Sequence, residues 1–261
     1  MARPCLEWRM RSSLSPRAAR WLPILVALSG VAAYWAAERA VTGGAAGLPL
    51  DDGWIHAQFA RQLAAGTGLV YRDGAWIAGS TSPLWTALLS IGGGLGGAFV
   101  LLWGKLLGIV LLIATARLSG DLTRDLGGGE FWNCLAAILV AGSSWLLWSS
   151  LSGMEVLLFA ALRLEVAERH DSDRMPLALP CAALAALARP EGALLCALLL
   201  ASRIGRALAG GLEANRVAKL RSHLVLGLTA AACVALPYAL LSFARSGSVV
   251  PSTLAVKTYS A

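Results

Sequence analysis

Two adjacent carboxylates, Asp51 and Asp52, stand ahead of a stretch in which Ile55, Phe59 and Leu63 recur at helical spacing, with His56, Gln58, Arg61 and Gln62 between them. A carboxylate beside an acceptor hydroxyl can remove its proton as the hydroxyl attacks an electrophilic carbon, which is general-base chemistry. Adjacent carboxylates also push each other's pKa values apart and can share a cation, so one of the pair could instead position the acceptor or hold a divalent metal. The spacing leaves these roles open for both residues. A plainer expectation stands beside them: Asp is a favoured N-cap, and Asp52 would cap a short interfacial helix over residues 54–65. His56 then falls on the polar face of that helix, where solvation is the ordinary state of a histidine.

The elements that hold these residues are apolar. Of 261 residues, 57% are hydrophobic and 14% are charged, against about 25% charged in a soluble domain. Mean hydropathy is +0.66. A soluble domain, a disordered chain and a nucleic-acid-binding protein are all excluded by that balance. The net charge of +7 comes from basic residues that cluster beside apolar runs, the pattern of cytoplasmic membrane loops. The leader, residues 1–20, carries Arg3, Arg9, Arg11, Arg17 and Arg20 against Glu7 alone, and a second cluster holds Arg203, Arg206, Arg216, Lys219 and Arg221 against Glu213. Cys134, Cys181, Cys196 and Cys233 lie in apolar runs and Cys5 in the leader, with no metal-type or redox spacing, so they read as packing residues.

The expected fold is an all-α polytopic membrane protein with about seven membrane helices plus a juxtamembrane helix. The spans are 21–37, 99–118, 131–150, 156–166, two short helices within 177–200 and a last one over 224–243. Residues 83–97, rich in glycine, form the juxtamembrane or re-entrant helix, and a polar loop with Arg117, Asp121, Arg124, Asp125 and Glu130 follows the second span. Within 177–200, Arg189-Pro190-Glu191-Gly192 would place two charges at mid-bilayer in a single crossing, a cost of roughly several kcal/mol, so an external turn between two helices is preferred. The cytoplasmic basic leader is then 1–20, the membrane module 21–261, and the first external loop with the acidic pair 38–82. Asp51, Asp52, Glu155, Arg189, Glu191 and Lys257 share the outer face. A topology with 83–97 crossing fully and 177–200 as one span also keeps the basic loops inside but moves Glu155 inward.

The stretch LPLDDGWIHAQFARQLAAGTGLVYRDGAWIAGSTSPLW, residues 48–85, resembles the first external loop of the bacterial GT-C glycosyltransferases, in particular arabinofuranosyltransferase-like and lipopolysaccharide-core-transferase-like proteins. The shared pattern is Asp-Asp, an amphipathic helix, Gly-x-Gly, Tyr and a Gly-Ser-Thr-Ser run. The Ser152-Gly153-Met154-Glu155 turn, the Ala188-Arg189-Pro190-Glu191-Gly192 turn and the segment from Val250-Pro251-Ser252-Thr253 to Lys257 match in the same order. The resemblance spans essentially the whole chain and bears on fold more than on substrate.

That resemblance implies transfer of a sugar from a polyprenyl-phosphate donor to an extracytoplasmic glycan or lipid acceptor, for cell-envelope biogenesis in a bacterial cytoplasmic (inner) membrane. The N-terminus would be cytoplasmic and the active loop extracytoplasmic, with membrane lipids and no nucleic acid as partners. Asp51 or Asp52 would be the base and Glu155 a second acidic position. Arg189 and Lys257 would face the departing lipid phosphate, whose charge calls for fixed cations. His56, Arg61, Ser80, Thr81 and Ser82 would orient phosphate or sugar, and Trp54, Tyr71 and Trp76 could stack on a sugar face, although tryptophans at such positions ordinarily anchor the interface. Arg189 and Glu191 could equally form a structural ion pair at a helix break. A divalent metal at Asp51 and Asp52 stays open. Enzymes of this kind generally have more membrane helices and often an external C-terminal domain, so the chain reads as C-terminally truncated, an inactive fragment or a subunit being one alternative. The other is a transporter or flippase of lipid-linked anions, for which the expected internal repeat is missing.

Overall fold

The computed structural model describes residues 15–45, 47–71, 80–96, 99–170 and 175–209, with scattered positions between 221 and 247. Among the described residues the chain forms nine helices and no sheet: α1 Pro16–Val41, α2 Asp51–Ala64, α3 Pro83–Gly93, α4 Phe99–Asp125, α5 Glu130–Ala141, α6 Ser144–Leu151, α7 Val156–His170, α8 Met175–Ala188 and α9 Gly192–Ala209. Ser15 caps α1, its hydroxyl accepting from the Ala18 amide at 3.2 Å, so the last residues of the basic leader are already helical.

Two helices are long and apolar enough to cross a membrane, over Arg17–Val41 and Phe99–Asp125, and a third crossing exists if the pair α5 and α6 is one span. At 27 residues, α4 is about 40 Å long, more than the roughly 30 Å hydrocarbon core. Exposed Leu25, Leu28, Val110 and Leu139 face outward along these helices, a surface that suits a bilayer better than water. α3 has 11 residues, about 16 Å, and is too short to cross.

Several boundaries differ from those read in the sequence. The polar stretch from Arg117 to Asp125 remains helical as the end of α4, leaving only residues 126–129 as the loop. Side chains that bond back to their own helix explain this: Ser119 Oγ donates to Ala116 O, Thr123 Oγ1 to Ser119 O, and Arg124 pairs with Asp121 at 2.9 Å. The expected span 131–150 breaks at Gly142-Ser143 with a bend of 53°. Asp52 does not cap its helix; Leu50 is the N-cap, and both aspartates lie inside the first turn of α2. There they complement the positive end of the helix dipole without a capping hydrogen bond.

The break at Arg189-Pro190-Glu191 is present, and α8 and α9 fold back on each other, since Leu199 packs with Ala178, Leu179 and Ala182 in one core. A Cβ on Gly192 would meet the Ala185 carbonyl at 2.3 Å, so only glycine lets α9 start this close to α8. A second core joins Ala27 and Val31 of α1 to Leu112 and Ala116 of α4, Ala141 of α5, Leu147 and Leu151 of α6, and Leu157 of α7. A third joins Ala57 and Ala60 of α2, Trp85 and Leu89 of α3, Val100 of α4, Leu158 of α7 and Ala188 of α8. That third core lies beside the charged residues described next.

Candidate functional site

His56, Glu155 and Arg189 each stand next to, or one turn from, a residue of the third core: Ala57, Leu158 and Ala188. Packing of those apolar neighbours brings the three polar side chains together. His56 Nε2 lies 3.3 Å from Glu155 Oε2, and Arg189 Nη1 lies 3.3 Å from Glu155 Oε1. Arg189 also reaches Glu191, Nη2 to Oε1 at 3.2 Å. His56 and Glu155 are 3% and 5% exposed, so the contact between them is dry. Burial pushes the Glu155 carboxyl up, but the His56 imidazole and the Arg189 guanidinium outweigh it and hold its pKa below the ordinary carboxylate value. The Glu191 carboxyl is also lowered, chiefly by its hydrogen bond with Arg189, whose own pKa is raised by the same bond.

The expected solvated His56 is corrected by this packing: the histidine is on the buried side of α2. The packed face of α2 is built from Gly53, His56, Ala57 and Ala60, spaced i, i+3, i+4 and i+7. A Cβ on Gly53 would meet Ser152 O at 2.6 Å, which makes glycine the residue that lets α2 approach the turn carrying Glu155. In that turn Gly153 has φ +76°, a conformation other residues rarely adopt. Its carbonyl accepts from Trp85 Nε1 at 2.7 Å, and Ser152 Oγ donates to Ser149 O at 2.8 Å.

Asp51 and Asp52 are exposed at the head of α2. Asp52 and His56 are four residues apart, so Asp52 sits one turn above His56 on the same side of the helix, at about 5–6 Å between Cβ atoms. The solvent-facing acidic pair thereby stands above the buried His56 and Glu155, with the partly exposed Arg189 paired to Glu155. His56 Nδ1, Ser82 Oγ and Ser149 Oγ are buried with no hydrogen-bond partner among the described residues. Orphaned polar atoms of this kind are rare in a packed interior.

The remaining predicted site residues distribute unevenly. Arg61 is half-buried near the end of α2, Tyr71 is exposed with its ring 5.7 Å from that of Phe59, and its carbonyl accepts from Gln58 Nε2 at 3.3 Å. Ser80 and Ser82 are buried and Thr81 is half-buried just before α3, with Ser80 Oγ 2.8 Å from Thr86 Oγ1. Trp54 is partly exposed and donates to Leu48 O at 3.0 Å. Trp76 and Lys257 lie outside the described residues. Among the described residues no group of three or more His, Cys, Asp or Glu gathers as metal ligands.

One buried ion pair was missed in the sequence: Lys105 of α4 donates to Glu38 of α1 at 2.5 Å, with side chains 8% and 22% exposed. A lone lysine inside an otherwise apolar span is the signal that could have found it. It ties the end of α1 to the start of α4, next to a cavity of about 300 Å³ lined by Tyr34, Glu38, Pro49, Trp148 and Leu151. No protein-family model matches the chain, and comparisons with curated proteins and with solved structures likewise give no match.

Proposed function

We propose that the chain is a GT-C-type membrane glycosyltransferase module with about seven crossings. It transfers a sugar from a polyprenyl-phosphate donor to an extracytoplasmic glycan or lipid acceptor. The observation that supports this reading best is the exposed Asp51-Asp52 pair at the head of α2, with Asp52 one helical turn above the buried His56 and Glu155, which Arg189 joins. A base for a sugar hydroxyl has to be open to the acceptor, as the exposed pair is, and the helix that carries it is anchored by the buried contact beneath.

In the proposed reaction the acceptor hydroxyl attacks the anomeric carbon, its proton passes to Asp51 or Asp52, and the bond to the lipid phosphate breaks with the electron pair leaving on the phosphate oxygen. A single displacement of this kind inverts the anomeric centre. Glu155 acts as a positioning residue through His56 and Arg189. The Arg189 guanidinium is shared between two carboxylates, and its remaining N–H groups, on a side chain one-third exposed, are the ones that would meet the departing phosphate.

A test uses the full chain in proteoliposomes with a radiolabelled polyprenyl-phosphoryl pentose or hexose and a short glycan acceptor. Asp51→Asn or Asp52→Asn is expected to lower transfer about 100- to 10,000-fold, the loss typical of a missing general base. Full transfer by both variants would remove the assignment.

A competing reading, a transporter or flippase of lipid-linked anions, draws on the bent pair α5 and α6 and on the charged break between α8 and α9. Movement of the lipid-linked donor across the vesicle membrane with no glycosidic bond formed would favour it.

A further inference from the structure

At the far end of the bundle from Asp51 and Asp52, a cavity of about 420 Å³ opens between the start of α1, the end of α4 and the start of α5. Its polar lining is Arg20, Arg117, Asp121, Arg124, Glu130 and Asn133. Arg117, Asp121 and Arg124 recur at i, i+4 and i+7, so one stripe of α4 faces the cavity. Arg124 is matched internally by Asp121 at 2.9 Å. Arg20 and Arg117 have no ion-pair partner among the described residues, and Glu130 is the one carboxylate left to oppose them. The lining therefore carries one uncompensated positive charge. α5 begins here behind Gly129, and its face from Glu130 through Asn133 to Ala137 forms one wall of the space.

The apolar surroundings say what kind of anion fits. Trp21 and Trp132 stand beside the cavity, 58% and 49% exposed, with Leu25 one turn on from Trp21 and Leu139 two turns on from Trp132, at 60% and 65%. Tryptophan at a span end with exposed leucine beyond it is the profile of a headgroup level with acyl chains below. We infer that this cavity binds the phosphodiester headgroup of an anionic membrane lipid through Arg20 and Arg117. A phosphodiester carries a single negative charge and matches the one positive charge left over. Basic pockets between membrane helices are a recurrent way of holding such headgroups. The site is independent of the glycosyltransferase reading.

Native mass spectrometry of the full chain in detergent tests it, with dioleoyl-phosphatidylglycerol or dioleoyl-phosphatidylcholine added at equal concentration. The expected result is preferential retention of phosphatidylglycerol, weakened about 10- to 30-fold in Arg20→Ala/Arg117→Ala. Retention should be largely kept in Arg20→Lys/Arg117→Lys and unchanged in Arg39→Ala, which alters the opposite end of α1. Each single alanine variant is measured as well, so a folding defect in the double variant leaves the outcome readable. Equal retention of both lipids, or retention of phosphatidylglycerol undiminished in the alanine variants, overturns the inference. Full displacement of the lipid by millimolar inorganic phosphate would assign the site to a soluble phosphate and overturn the lipid as its source.

Discussion

His56 and Glu155 meet at 3.3 Å, Nε2 to Oε2, and join α2 to the turn between α6 and α7 in a contact closed to solvent. The acidic pair at the head of α2 is positioned by this contact more than by its own loop. Asp51 and Asp52 lack a capping role, and among the described residues neither carboxylate has an ion-pair partner; what anchors them is the face of α2 one turn below. Glu155 in turn is fixed by Arg189 and by the tight turn through Gly153.

Replacing Glu155 with Gln leaves His56 and Arg189 facing an amide. Breaking a buried pair costs about 3–5 kcal/mol, and since the Arg189 side chain is one-third exposed the expected loss is at or below the lower end of that range. The pH dependence has a definite sign. A carboxyl whose folded pKa is depressed adds stability that is fully present above its ordinary value of 4.5 and is lost as pH falls through the folded pKa. Thermal unfolding in detergent between pH 3 and 7 should show the wild type losing stability below about pH 4.5, with that component missing in Glu155→Gln. Parallel curves for the two proteins would rule out the buried charge as its source.

Much of the layout was legible in the sequence because long apolar runs leave few choices. The α1 and α4 spans, the short α3 and the break at Arg189-Pro190-Glu191 follow from run length, glycine content and the cost of mid-bilayer charge. The burial of His56 was hidden, because the side of α2 it shares is made of Gly53, Ala57 and Ala60, which carry little hydrophobic signal, while of the large apolar residues only Phe59 is buried and Ile55 and Leu63 are half-buried. Small residues mark where backbones approach closely, and periodicity of large apolar residues does not register them. The polar end of α4 misled for a similar reason: Ser119 and Thr123 satisfy their hydroxyls on their own helix and so do not end it.

Lys105 and Glu38 should behave as one unit. Lys105→Met alone leaves a partly buried carboxylate unpaired and Glu38→Leu alone strands a buried ammonium, each costing up to about 3–5 kcal/mol. The double variant is expected to recover most of the loss, because two apolar side chains need no partner in that position. A double-mutant cycle on thermal stability measures the coupling. Additive losses would mean that the two side chains act independently.

Gly108 and Gly205 offer a contrast within long helices. A Cβ at Gly108 would meet Ser150 O at 2.0 Å, so Gly108→Ala must push α4 away from α6, while at Gly205 nothing among the described residues lies within 4 Å. Overpacking typically costs about 1–3 kcal/mol, and a contact this close to backbone should reach the upper part of that range. Gly205→Ala should instead stabilise by roughly 0.5–1 kcal/mol, the intrinsic helical preference of alanine. Equal unfolding temperatures for the two variants would contradict the close α4 to α6 crossing.

Trp85 links the run beginning at Ser80 to the turn that carries Glu155. Its indole is fully buried and Nε1 donates to Gly153 O at 2.7 Å. Phenylalanine at this position keeps most of the apolar contact with Ala57, Leu89 and Leu158 but removes the donor, leaving a buried carbonyl unpaired at a cost of about 1–3 kcal/mol. The loss falls on the turn, so its effect should spread to the His56 and Glu155 contact: in Trp85→Phe the acid-induced loss of stability assigned to Glu155 is expected to shrink along with the overall stability. Under the proposed function, glycosyl transfer falls as well, since the support beneath Asp52 loosens while both aspartates remain. Wild-type stability with an unchanged acid response in Trp85→Phe would mean that Trp85 fills space without fixing the turn.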